Sequence, residues 1–195
     1  LEEHTGTTLD DTALSNIMGE VKLQDGLASE IIDLMRIRPS PVPGIFDVML
    51  YGGRFMMSGR KIYTELLRSM LEQACKNAES GVSGTSSKRE RARGLFCYID
   101  HYTTDARFWQ WMDEQEISHL GSVLFIFWQQ GAPYALSRPD EAYGIDCSGR
   151  DAMIDSLADQ VSRMPMVKQI RGPYDAPGMW LDDLLGTVRL LKPDF

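Results

Sequence analysis

The run Gly94-Leu95-Phe96-Cys97-Tyr98-Ile99 is short, apolar and strand-sized, and reading it as a buried strand decides the fold. Thr104-Asp105 then offers a cap for a helix that turns Phe108, Trp109 and Met112 inward. A second buried strand is expected over Leu120-Gly121-Ser122-Val123-Leu124-Phe125-Ile126-Phe127, ending at Trp128-Gln129-Gln130-Gly131. A long irregular stretch, 132–149, leads to a helix carrying Ile154, Leu157, Ala158 and Val161, and a last helix carries Leu181, Leu184, Val188 and Leu191. Strand, helix, strand, helix, helix is the order of an α/β protein with a doubly wound parallel sheet. The closing Lys192-Pro193-Asp194-Phe195 falls where the next strand should begin, so the sheet is expected to be truncated there.

Upstream of this unit the period is helical. Asp10-Asp11-Thr12 can cap a helix carrying Leu14, Ile17, Met18 and Val21, continuing past a break near Gly26 to Ile31, Leu34 and Met35. Pro39, Pro41 and Pro43 stop it. A short helix with Phe46, Met49 and Leu50 follows, then a stronger one from Ser58 with Ile62, Tyr63, Leu66, Leu67, Met70, Leu71 and Ala74 on a broad apolar stripe. Cys75 borders that stripe and reads as a buried thiol. The small polar residues of Ser80-Gly81-Val82-Ser83-Gly84-Thr85-Ser86-Ser87-Lys88 read as a linker or mobile loop. The expected division is a helical connector region over 1–80, a polar linker over 81–91 and an incomplete α/β domain over 92–195.

With 195 residues, 43% of them hydrophobic and 25% charged, the chain has the composition of an ordinary globular protein. Its 28 acidic against 20 basic residues, a formal charge of −8, argue against a nucleic-acid surface. The basic cluster Lys88-Arg89-Glu90-Arg91-Ala92-Arg93 is short, and reads as a solvated connector or a polyanion contact. No segment approaches the ~18 apolar residues of a membrane span. The opening Leu1-Glu2-Glu3-His4 is acidic, unlike a signal peptide, and the missing initiator Met suggests that residues upstream were removed or omitted. Three scattered cysteines, Cys75, Cys97 and Cys147, form no CxxC pair or even disulfide set, so a reducing cytoplasm is expected.

Ligands in open parallel sheets sit at the carboxyl ends of strands, here Asp100-His101-Tyr102-Thr103-Thr104 and Trp128-Gln129-Gln130-Gly131-Ala132-Pro133-Tyr134. His101 could serve as an acid or base, or simply hydrogen-bond to backbone. Thr103-Thr104-Asp105 could hold a phosphate or act only as a cap. Gln129 and Gln130 offer amides, and Trp128 could stack on a ring or end the sheet's core. Arg171, in the stiff loop Gly172-Pro173-Tyr174-Asp175-Ala176-Pro177-Gly178, could pair with a carboxylate or phosphate ligand, or with Asp175 or Asp182. There is no GxGxxG after a strand, no P-loop, no GxSxG and no HExxH, and His4, His101 and His119 are too dispersed to suggest a zinc set. No reaction is named by composition or spacing.

A longer pattern narrows the choice. The lead Thr5-Gly6-Thr7-Thr8-Leu9-Asp10-Asp11-Thr12-Ala13-Leu14, the connector Arg38-Pro39-Ser40-Pro41-Val42-Pro43-Gly44 and the helix Tyr63-Thr64-Glu65-Leu66-Leu67 resemble the central part of the 2-hydroxyacyl-CoA dehydratase/benzoyl-CoA reductase family, as in a 2-hydroxyglutaryl-CoA dehydratase D-component. So do the basic stretch, the first strand, Phe108-Trp109-Gln110-Trp111-Met112-Asp113-Glu114 and the second strand, with 164–185 approaching the last helix. The resemblance implies flavodoxin-like domains, a 4Fe-4S iron–sulfur cluster held between domains of related subunits, a CoA-thioester substrate and electrons from a separate ATP-dependent activator. It implies dehydration of a 2-hydroxyacyl-CoA through a ketyl radical, or reduction of an aromatic acyl-CoA.

One departure matters. Cluster ligands are cysteines, and where family members often place one after the second strand this chain has Phe127-Trp128-Gln129-Gln130. Cys97 lies in a strand and Cys147 in the loop Asp146-Cys147-Ser148-Gly149. Either the chain binds no cluster alone, which is the favoured reading, or Cys147 substitutes as a metal ligand. Two other classes stay open: a non-catalytic partner subunit, and an unrelated flavodoxin-like small-ligand-binding domain.

Overall fold

The structure, a computed structural model, describes residues 2–97, 105–123, 144–163, 167 and 179–195. After a single turn, α1 (Glu2–Thr5), the helix α2 (Asp11–Leu34) is capped by Asp10, whose carboxylate accepts from the backbone N–H groups of Thr12 at 2.8 Å and Ala13 at 3.2 Å. It runs unbroken through Gly26, because packing of its Ile31 and Ile32 outweighs the modest cost of one interior glycine. The proline connector leads to α3 (Phe46–Met57) and α4 (Lys61–Glu79).

Helix α4 buries Tyr63, Leu67, Met70, Ala74 and Asn77, a stripe with steps of three and four. The stripe is narrower than expected, since Ile62 is exposed and Cys75 is only half-buried. Polar side chains lock the helices together. Gln24 donates to the Arg60 carbonyl and to Thr64 Oγ1, each at 2.9 Å, and accepts from the Gly59 N–H at 2.8 Å. Arg54 meets Asp25 at 2.7 Å, and Gln160 donates to the other Asp25 oxygen at 2.6 Å. Tyr63 donates to the Leu50 carbonyl at 3.0 Å, and burial pushes its phenol pKa well above the ordinary value.

The α/β unit consists of β1 (Ala92–Phe96), α5 (Ala106–Glu114) and β2 (Ile117–Ser122), followed by α6 (Arg150–Arg163) and α7 (Met179–Leu191). The two strands are parallel, with Arg93 opposite Ser118 and Gly94 opposite His119. Alternation along them sorts the side chains onto two faces. Leu95 and Leu120 join Ile31, Ile32, Leu67, Met70 and Leu191 in one core on the helical side. Phe96 and His119 turn to the opposite side and pack against α5. Leu67→Ala would open a cavity at the centre of this core, and is expected to cost about 2–5 kcal/mol, read as a lower urea midpoint at unchanged slope.

Several expectations are corrected. Each strand starts earlier than the apolar run, β1 by two residues and β2 by three, because Arg93, Ser118 and His119 are buried polar members of the strands. Residues 98–99 and 124–127 lie outside the described residues. On α6 the inward positions are Met153 and Gln160, whereas Ile154, Leu157 and Val161 are exposed, because Gln160 is drawn in by Asp25 of α2. Nor is the polar loop solvated throughout: Ser83 and Thr85 are buried, and Ser83 Oγ lies 3.4 Å from Ser118 Oγ. The fold is therefore α/β and helix-rich; a flavodoxin-like, doubly wound sheet is not seen among the described residues, where two strands pair in parallel. Asp194 and Phe195 nevertheless lie beside β1 with a parallel hydrogen-bond pattern: Phe195 N–H to the Arg93 carbonyl at 3.3 Å, and Leu95 N–H to the Phe195 carbonyl at 3.0 Å.

Candidate functional site

The carboxyl ends of the strands are at Phe96–Cys97 and Ser122–Val123. Topology makes the crevice beyond them the first place to look for a ligand. Cys97 is exposed at the end of β1. His101, Trp128, Gln129, Gln130 and Arg171, the side chains expected to line a site, all lie outside the described residues.

The described residues bring together a different pair. His119 Nε2 on β2 lies 3.2 Å from Asp47 Oδ2 in the first turn of α3, and both side chains are buried. Phe96 and Trp109 each stand edge-to-face to the imidazole, with ring centroids 4.9 Å away. Gly44 permits this approach: a Cβ there would stand 3.2 Å from His119 Cβ and 3.5 Å from the Trp109 ring. Beside the pair a cleft of about 210 Å³ opens between Ile45, Thr85, Trp109, Gln110 and Asp113. His119 lines this cleft, and its close approach to Asp47 ties α3 to the sheet. Periodicity could not find the pair, because the partners are far apart in sequence. The available signal was a histidine immediately before an apolar strand and an acid near a helix start.

Cys147 is half-buried and packs against the apolar cluster of Met18, Val21, Ile145 and Met153. Its neighbour Asp146 is held below the usual carboxylate range by hydrogen bonds from Ser148, with Lys22 adding a smaller effect. The Ser148 N–H donates to Asp146 at 2.9 Å, so this carboxylate closes its own turn. The cysteines occupy three settings: Cys75 on α4, Cys97 after β1 and Cys147 before α6. Among the described residues no group of three or more His, Cys, Asp and Glu could hold a metal ion. An iron–sulfur cluster needs several convergent thiolates, and the cysteines of this chain do not by themselves make that cradle.

A parallel α/β unit with a helical layer on one face defines the class of this protein. The chain belongs to the 2-hydroxyglutaryl-CoA dehydratase, D-component, family, whose family model matches residues 1–195. No curated protein and no solved structure matches it. Among the described residues no helix is long and apolar enough to cross a membrane.

Proposed function

We propose that this chain forms part of a dehydratase subunit that removes water from a 2-hydroxyacyl-CoA by a radical route, within an assembly containing a partner subunit, a 4Fe-4S iron–sulfur cluster and an ATP-dependent activator. The observation that carries this reading is the family match along all 195 residues. The separated cysteines support a division of labour, in which ligation of the cluster depends on residues outside this chain. The chain's own contribution is then a rigid core that presents the segments following β1 and β2, with His101, Trp128, Gln129, Gln130 and Arg171 as substrate-facing candidates. Reduction of an aromatic acyl-CoA is the variant of the same chemistry.

A second reading, a non-catalytic partner subunit, is favoured by one observation: Cys147 packs among apolar side chains. Anaerobic purification separates the readings. The 195-residue chain alone is expected to carry no stoichiometric iron or sulfide, whereas its complex with the partner subunit carries a cluster and dehydrates a 2-hydroxyacyl-CoA. A complex with its cluster but without turnover, restored by a second subunit of the same family, would favour the non-catalytic reading. A complete cluster on the chain alone would overturn the division of labour.

A further inference from the structure

We propose that the open groove between Arg38, Arg89 and Arg91 binds the phosphate groups of a phosphorylated small molecule. The groove lies at the amino end of β1, is lined also by Pro39, Glu90 and Asp194, and has a volume of about 720 Å³. Its charge runs against that of the chain. The protein as a whole carries −8, whereas here four guanidiniums, of Arg38, Arg89, Arg91 and Arg93, gather with three carboxylates, of Glu90, Glu116 and Asp194, among the described residues.

The cluster is built rather than merely solvated. The Glu90 side chain is buried, accepts from the Ser40 N–H at 2.7 Å, and meets Arg93 at 3.3 Å and Arg38 at 3.7 Å. Asp194 receives the Arg38 guanidinium at 2.9 Å through one oxygen and the Arg93 N–H at 2.9 Å through the other. Glu116 holds Arg89 through Nε at 2.8 Å and Nη2 at 2.5 Å. Arg38 and Arg89 thus have their forks fixed while Nη1 of each takes no carboxylate among the described residues. Arg91 is exposed, and its guanidinium has no partner among the described residues. Two oriented guanidiniums and one uncompensated charge suit an oxyanion, because the planar fork matches phosphate oxygens and orientation already set need not be lost on binding. A nucleic acid is disfavoured by the overall acidity. The site does not depend on the dehydratase reading.

Titration of the 195-residue chain with inorganic pyrophosphate at low salt, followed calorimetrically, tests the groove. Saturable binding is expected, weakened about tenfold by Arg91→Gln, as suits loss of one charge-assisted contact. Arg91→Glu should abolish it, whereas Lys61→Gln on α4 should leave it unchanged. Tighter binding of adenosine diphosphate than of pyrophosphate would identify a phosphate ester as the source; equal binding would identify the free anion. No saturation up to about 10 mM pyrophosphate, or equal affinity in folded Arg91→Gln, would overturn the proposal.

Discussion

Arg93→Met is expected to destabilise the protein by about 3–5 kcal/mol, the cost of stripping one member from a buried ion pair. Arg93 is only 1% exposed, although it stands in the middle of a strand. Its Nη1 donates to the Ile37 carbonyl at 2.9 Å, and its Nη2 donates to the carbonyls of Met35 and, at 3.0 Å, Leu191. Three segments therefore end on one guanidinium: the turn after α2, strand β1 and the last residue of α7. Methionine fills much of the volume but leaves those carbonyls without their donor, and leaves the buried Glu90 carboxylate with the Ser40 N–H and only a 3.7 Å contact to the Arg38 charge. A loss of this size is a large part of a typical domain's total stability. The expected readout is a collapse of the urea midpoint and of soluble yield. Arg93→Lys should recover little, because a single ammonium cannot reach three carbonyls in fork geometry. Adding Glu90→Gln to Arg93→Met should restore part of the loss by removing the stranded charge, a coupling visible in a double-mutant cycle. Equal stability of the single and double variants would show that Glu90 is not the stranded partner.

The same residue shows how far periodicity carries. Helix α4 was legible because its contacts are apolar and regular, so the steps from Tyr63 to Ala74 appear directly in the sequence. The parallel strand–helix–strand unit was legible for a similar reason, since Leu95, Trp109, Met112 and Leu120 are all apolar and all buried. Reading failed where a buried position is polar. Arg93 closes a basic run, so it looks like surface; its partners are backbone carbonyls 56 and 98 residues away. Ser118 and His119 look like a loop before a strand, yet their partners Ser83 and Asp47 come from the loop and from α3. Gln160 looks like the polar side of α6 until Asp25 is placed opposite it. In each case the decisive interaction is long-range, and no local window contains it. The expected site residues fall on segments outside the described ones, while the pairing of Asp47 with His119 is long-range and could be signalled locally only by a histidine before an apolar run and an acid near a helix start.

The loop expected to be solvent-exposed yields the second large effect, Gly84→Ala. Helix α4 ends near Asn77, whose amide donates to the Pro41 carbonyl at 2.8 Å, drawing the proline connector against the helix. The loop then crosses the connector, and the Gly84 N–H donates to the Ser40 carbonyl at 2.8 Å. At this crossing the two backbones touch. An alanine Cβ at position 84 would overlap the Val42 carbonyl carbon and the Pro43 nitrogen, and would stand 2.6 Å from the Val42 oxygen. A flexible side chain could swing aside; a proline-stiffened backbone held by Asn77 and Ser40 cannot do so cheaply. Overpacking of this kind costs about 3 kcal/mol. The damage should spread to the His119–Asp47 cleft, because Pro43, Gly44 and Gly84 share its wall. Gly19→Ala provides the contrast. Gly19 is exposed on α2 with open space around the added methyl, so the change should stabilise by about 0.5–1 kcal/mol through helix propensity. Urea unfolding of the two variants, with tryptophan emission reporting on Trp109, measures both effects. Unchanged stability in Gly84→Ala would mean that connector and loop separate in solution, and that the close crossing does not hold the helical layer to the sheet.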